Sequence, residues 1–299
     1  MVGGRQSQCS ILRCGRGFVL CVILASLASC VHAGPDRDAN AALIARSGGF
    51  EPVVSQGVSR DLQLYRRDNA RSGPLFVYIE GDGAAYLDQR TPSSDPTPID
   101  PLALRLAAAD PGAAILYVAR PCQFAPGRGD RRCTVLDWTT HRFSRDNVGA
   151  VSEAIDRERA RKPERPLVLV GYSGGGVVAA LVAARRSDVA LLITLGAPLD
   201  TADWTRRMWL SPLDGSDSPL DHAAALAHVP QVDFVGEKDA IVPIETVRSF
   251  VDALGPTAAA KVVVVPDYDH RCCWLRDWPQ LRETALRSAL AATSDPQRP

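Results

Sequence analysis

Short unbroken apolar runs, rich in β-branched residues, alternate along the chain with longer stretches in which apolar residues recur at helical spacing. Leu75-Phe76-Val77-Tyr78-Ile79, Ala114-Ile115-Leu116-Tyr117-Val118 and Leu167-Val168-Leu169-Val170 are unbroken, and residues 189–195 nearly so. Runs without polar alternation predict strands buried on both faces. Residues 232–235 and 261–265 predict two further strands, and Val53-Val54 with Leu62-Gln63-Leu64-Tyr65 predicts an edge hairpin. Helices are expected over 102–109, 146–161, 177–186, 244–254 and about 279–292. Alternating strands and helices imply an α/β domain with a mostly parallel sheet, spanning residues 50–299. Residues 91–101 are rich in proline and serine and read as loop. Residues 199–229 break the pattern and read as a small insertion with little regular structure after the sixth strand. Residues 30–49 read as a tether.

Sites in such sheets lie at the carboxyl ends of the strands. Gly171-Tyr172-Ser173-Gly174-Gly175 stands at one of them, between the strand at 167–170 and the helix that follows. A strand, a tight glycine turn bearing a serine, then a helix is the form of a nucleophile elbow. The glycines let strand and helix approach without a Cβ clash, and the Gly174 N–H stands at a helix N-terminus, where negative charge is favoured. The five-residue pattern also fits a plain glycine turn or a phosphate-binding loop. The absence of a Gly-Lys-Ser/Thr ending argues against the nucleotide-binding version.

Composition adds a compartment and removes one class of partner. The chain carries 34 basic and 34 acidic residues, a balance that offers nucleic acid no basic footprint. At the N-terminus, Arg5, Arg13 and Arg16 precede an apolar run over residues 18–29, too short to span a bilayer and suited to a secretory leader. Leu27-Ala28-Ser29-Cys30 resembles the lipobox of bacterial lipoproteins, so residues 1–29 are expected to be a signal peptide and Cys30 the lipid-attachment site. Val31, rather than an aspartate, then resembles the sorting signal for the outer membrane, facing the periplasm. Cleavage after Ala33, giving a periplasmic or secreted protein, is the competing reading. Either way the chain is exported, and its four remaining cysteines allow three pairings: Cys122 and Cys133 are expected to bridge, closing an arginine-rich loop, with cross-pairing to Cys272 and Cys273 the alternative if the two regions lie close in space. Cys272-Cys273 is then a vicinal disulfide or two free thiols. A zinc site is the weaker alternative, because adjacent cysteines lack the usual spacer.

A serine needs a base, and the base an orienting carboxylate. Of five histidines, His270 alone follows a strand of the second half, within Pro266-Asp267-Tyr268-Asp269-His270. Asp239, beyond the strand at 232–235, is the expected acid. Glu237 is the runner-up, and Asp233 falls inside the strand. The elbow, Gly236-Glu237-Lys238-Asp239 with Val242-Pro243, and His270 near the last strand together resemble the α/β-hydrolase fold over residues 60–292. That resemblance implies a mostly parallel eight-stranded sheet flanked by helices, a serine nucleophile, no metal or other cofactor, and an oxyanion site shared by the Gly174 N–H and the loop after the third strand. Here that loop is Glu80-Gly81-Asp82-Gly83, with Asp82 the first expected donor and Gly83 the second. Where many relatives have His-Gly, this chain has Glu80-Gly81. Carboxylates pointing inward would oppose a developing oxyanion, so the flanking glycines predict that only backbone approaches the substrate. Glu80 is alternatively a buried structural acid.

Tyr172, Trp204 and Trp209 are candidates to line an acyl pocket; equally, the insertion's tryptophans serve to bury it against the body. The expected function is hydrolysis of small carboxylic esters or thioesters through an acyl-enzyme. A serine peptidase or acyltransferase on the same fold, or a non-catalytic envelope lipoprotein, are the alternatives.

Overall fold

The computed structural model describes residues 36–69 and 72–293. The expected leader, Cys30 and the first part of the expected tether lie outside the described residues. In chain order the elements are α1 (Arg37–Ser47), β1 (Glu51–Gln56), β2 (Asp61–Asp68), β3 (Leu75–Ile79), α2 (Leu102–Ala109), β4 (Ala114–Val118), α3 (Phe124–Arg128), α4 (Arg145–Arg159), β5 (Leu167–Tyr172), α5 (Gly174–Ala183), β6 (Val189–Leu195), α6 (Thr201–Arg207), α7 (Ala223–Leu226), β7 (Gln231–Gly236), α8 (Ile244–Leu254), β8 (Ala260–Val265) and α9 (Trp274–Thr293). Short 3₁₀ turns span Val135–Trp138 and Pro219–His222.

The strands form one eight-stranded sheet in the order β1-β2-β4-β3-β5-β6-β7-β8. β1 and β2 make the expected antiparallel edge hairpin, and β2 pairs antiparallel with β4. All other pairs are parallel. Every residue of β3 and β4 is buried, which is why both read as unbroken apolar runs. One face of the sheet is covered by α4, α5 and α8, through residues such as Val151, Val177 and Phe250. The other is covered by α1, α2 and α9, through Ala41, Leu104, Trp274 and Trp278. α5 is buried along its whole length, in keeping with a helix that is apolar all round.

Four elements differ from expectation. Residues 37–47 are helical rather than a tether. Asp36 caps α1 by accepting the Ala39 N–H at 3.0 Å, and the helix docks through Ala41 and Ala45. Two small residues make too narrow an apolar stripe to announce a helix. The insertion is more regular than its composition suggests: Asp200 caps α6 by accepting the Asp203 N–H at 2.9 Å. The disulfide loop carries the short α3. Finally, α9 begins ahead of Pro279, because Trp274 and Trp278, one helical turn apart, are both fully buried. Among the described residues no helix is long and apolar enough to cross a membrane.

Register sets the site. Ile79 of β3 lies beside Gly171 of β5, and Gly236 of β7 beside Val265 of β8. The Glu80–Gly83 loop therefore emerges next to the elbow, and the Asp239 loop next to the His270 loop, all at the carboxyl edge.

Candidate active site

Ser173 joins β5 to α5 with φ 52° and ψ −126°, a conformation that costs about 1–3 kcal/mol for a residue with a Cβ. The turn is held from both sides: the Ser173 N–H donates to Leu195 O, and the Gly176 N–H to Ser173 O, each at 2.8 Å. A Cβ on Gly171 would come within 2.4 Å of Gly175 O, and one on Gly175 within 2.3 Å of Ile79 O. Glycine at both positions is what lets β3, β5 and α5 meet beneath the serine.

His270 lies between Ser173 and Asp239. Its Nε2 is 3.0 Å from Ser173 Oγ, and its Nδ1 is 2.8 Å from Asp239 Oδ2. The other Asp239 oxygen accepts the N–H groups of Ile241 and Val242 at 2.9 and 2.8 Å. The Asp239 side chain has no exposed surface and that of His270 only 10%. A carboxylate fixed in this way keeps the neutral ring's proton on Nδ1 and leaves Nε2 free to accept from the serine. The alternative acids are engaged elsewhere. Glu237 accepts the Asp267 N–H at 3.1 Å. Asp233 stays within β7, where it accepts from Thr194 Oγ1 at 2.7 Å.

The histidine backbone is pinned as well. His270 O accepts from Tyr172 Oη at 3.1 Å and from Trp274 Nε1 at 2.9 Å, and the Tyr172 ring centroid lies 5.3 Å from the imidazole. Burial pushes the Tyr172 phenol up, so it remains a proton donor. Tyr172 thus borders the site by holding His270. Trp274 does the same and was not anticipated; its spacing of four residues from His270 is the signal that points to it. Cys272 and Cys273, directly between the two, form a vicinal disulfide, and Cys122 and Cys133 bridge as expected.

On the other side of Ser173, the N–H groups of Gly174 and Asp82 have no acceptor among the described residues. Gly83, the alternative donor, adopts φ +65° and packs against Pro96 and Gln123. Glu80 is a buried structural acid: it accepts the Gly81 N–H at 3.0 Å, the Ala103 N–H at 3.4 Å and Tyr117 Oη at 3.2 Å. Burial outweighs these bonds and raises its pKa to about 7. Asp82 departs from expectation, because its carboxylate turns inward. A Cβ on Gly174 would fall 2.1 Å from Asp82 Oδ1. The anticipated repulsion is cancelled by two guanidinium groups that sequence reading missed. Arg120 Nη1 donates to Oδ1 at 3.0 Å and Arg142 Nη1 to Oδ2 at 2.6 Å. Burial raises the pKa of the Asp82 carboxyl, but Arg142 and Arg120 outweigh it and hold the group below its ordinary value.

The insertion's tryptophans do not meet at the serine. Trp204 is buried, and its indole N–H donates to Ile241 O at 2.8 Å, tying α6 to the Asp239 loop. Trp209 follows the end of α6 and is 94% exposed, so it lines no pocket. Cavities of about 340 and 290 Å³ open at the amino edge of the sheet, lined by Glu51, Arg66 and Arg161 and by Pro230, Gln231 and Lys261 respectively, away from Ser173. Among the described residues no group of three or more His, Cys, Asp or Glu is placed to hold a metal ion.

No protein-family model and no curated protein sequence matches the chain. Solved structures do. An esterase of Pyrococcus furiosus is similar at 13% identity with a TM-score of 0.58, over 81% of this chain and 91% of that one. A puromycin hydrolase is similar at 17% identity and TM-score 0.61, over 83% of this chain but only 40% of that one. An α/β serine hydrolase homologue from Coxiella burnetii is similar at 17% identity and TM-score 0.53, over 79% of this chain and 96% of that one. Identities this low carry the fold alone. With the parallel sheet order, the strand–serine–helix turn and the loops at the carboxyl edge, they make this chain a protein of the α/β-hydrolase fold.

Proposed function

We propose that this chain is a serine hydrolase that cleaves carboxylic esters or thioesters through an acyl-enzyme on Ser173. The observation that carries the reading is the position of His270, within hydrogen-bond reach of both Ser173 Oγ and Asp239 Oδ2. As Ser173 Oγ attacks the acyl carbonyl carbon, its proton passes to His270 Nε2. Asp239 stabilises the imidazolium. The carbonyl oxygen becomes an oxyanion between the N–H groups of Gly174 and Asp82, at the positive end of α5. The tetrahedral intermediate collapses and expels the alcohol or thiol, which takes the proton from His270. Water, deprotonated by the same nitrogen, then releases the acid and restores the serine. A secretory leader over residues 1–29 would send this chemistry to the cell envelope, and two disulfides in the domain support a reading in such an oxidising compartment.

A fluorophosphonate probe tests the nucleophile. Wild-type protein should label and Ser173→Ala should not; wild type that stays unlabelled removes the reading. A panel of p-nitrophenyl esters and thioesters beside p-nitroanilides tests the reaction class. Turnover of the anilides at rates matching the esters would favour a peptidase instead.

A further inference from the structure

Beside the proposed nucleophile stands a charge cluster that the hydrolytic mechanism does not use. Asp82, Arg120 and Arg142 supply two positive charges for one negative, next to the Cα of Gly174. The nitrogens of the two guanidinium groups are not equivalent. Arg120 Nη1 is bonded to Asp82, its Nη2 donates to Arg142 O at 2.5 Å, and its Nε is enclosed without a partner. Arg142 Nε donates to Thr139 O at 2.6 Å and its Nη1 to Asp82. Arg142 Nη2 has no acceptor among the described residues, yet it is not among the enclosed polar atoms. The Arg142 side chain is 8% exposed and that of Asp82 20%, against 5% for Arg120. The cluster therefore opens to solvent at Asp82 and Arg142, where the Arg142 guanidinium also faces the Tyr86 ring at 5.6 Å.

Below about pH 7, where the neighbouring Glu80 is neutral, the cluster carries one surplus positive charge, and a guanidinium nitrogen there with hydrogens to spare is matched by one singly charged anion. A dianionic phosphate would leave charge uncompensated. We propose that Arg142 is a specificity-determining residue whose Nη2 binds a carboxylate on the substrate, so that the preferred ester is one arm of a half-ester or a similarly acidic acyl compound. This rests on the serine-hydrolase reading for its chemistry. Asp82 has a second role here: it fixes the Arg142 fork and absorbs the charge that would otherwise trap any anion.

Binding tests the site without turnover. In Ser173→Ala protein, the monomethyl esters of succinate, glutarate and adipate are titrated beside the corresponding dimethyl esters, by calorimetry or by NMR shifts. At least one half-ester should bind tighter than its neutral diester by about tenfold to a hundredfold, the span of a charged hydrogen bond. Adding R142Q should bring that ratio to about one. R142K, which keeps the charge and the Asp82 pair but not the planar fork, should fold and retain only part of it. A wild-type pocket that does not favour any half-ester overturns the proposal. So does a preference that survives at full strength in R142K or R142Q. Fluorophosphonate labelling of the wild-type protein reports separately on the hydrolase reading, and its failure would leave the binding ratios standing as the measure of the anion site.

Discussion

The two sides of Ser173 are assembled in opposite ways. His270 and Asp239 follow the adjacent strands β8 and β7, which pair in unbroken register from Gln231 beside Ala260 to Gly236 beside Val265, and their mutual contact closes 31 residues of chain. The Glu80–Gly83 loop is balanced from further off. Arg120 lies 38 and Arg142 60 residues from Asp82, on loops beyond β4 and ahead of α4. The first side is placed by backbone topology: once the strands pair, Asp239 and His270 meet. The second side depends on charged side chains converging on one carboxylate, with their desolvation offset only when all three are present. The topological side should tolerate substitution structurally while losing activity. The charge-built side should lose structure as well.

The largest effect is expected at Asp239. Asp239→Asn replaces an acceptor facing Nδ1 with an amide that favours the wrong imidazole tautomer. On the proposed mechanism kcat for ester hydrolysis should fall by roughly 10⁴. The fold should remain, because β7 and β8 still pair. A variant that keeps more than a tenth of the activity would mean that another group orients His270, and Glu237→Gln would then be the variant to measure.

Asp82→Ala should act mainly on stability. It leaves two buried guanidinium groups facing each other without their acid, and the loss of one member of such a cluster costs about 3–5 kcal/mol. Urea denaturation reads this directly, as a lower midpoint at unchanged slope. If Asp82→Ala unfolds within 1 kcal/mol of wild type, on the order of a surface substitution, the two sides of the serine are built alike and the contrast fails.

What was legible in the chain follows the same division. The unbroken runs at β3, β4 and β5 are legible because burial on both faces removes polar alternation. Ser173, Asp239 and His270 are legible because each ends or follows a strand and their order matches a known fold. The partners of Asp82 are not, since an arginine's side-chain target is set by tertiary convergence and leaves no period in the sequence. Burial of aromatics was equally opaque. Trp204 and Trp209 look alike in composition, yet one is inside α6 and buried, while the other follows its end with φ 53° and stands in solvent. The inward turn of Asp82 runs against expectation for a related reason: the flanking glycines do admit close backbone approach, but the open space they leave is also what lets the carboxylate reach Gly174.

The smallest effect compares one buried acid from each side. Glu80 follows β3 and has three donors; Asp233 lies in β7 with one donor, and its Oδ2 is enclosed without a partner. Burial raises both to about 7, from ordinary values of 4.5 and 3.8. A carboxyl whose folded pKa is raised binds its proton more tightly in the native state. Its contribution to stability is complete below the unfolded value and is lost as pH rises through the folded one. Between pH 5 and 8 wild-type stability should therefore decline, each acid accounting for about 2–3 kcal/mol. Acids held below their ordinary values, such as Asp82 and Asp130, are ionised across that window in both states and do not contribute to the slope. Glu80→Gln and Asp233→Asn, each neutral at every pH, should each flatten the decline by its own share, read from urea midpoints at pH 5 and 8. Equal flattening makes burial the common cause. If Glu80→Gln leaves the slope unchanged while Asp233→Asn flattens it, the three donors hold Glu80 ionised, and the charge on the oxyanion side must then be balanced by the same arginines that hold Asp82.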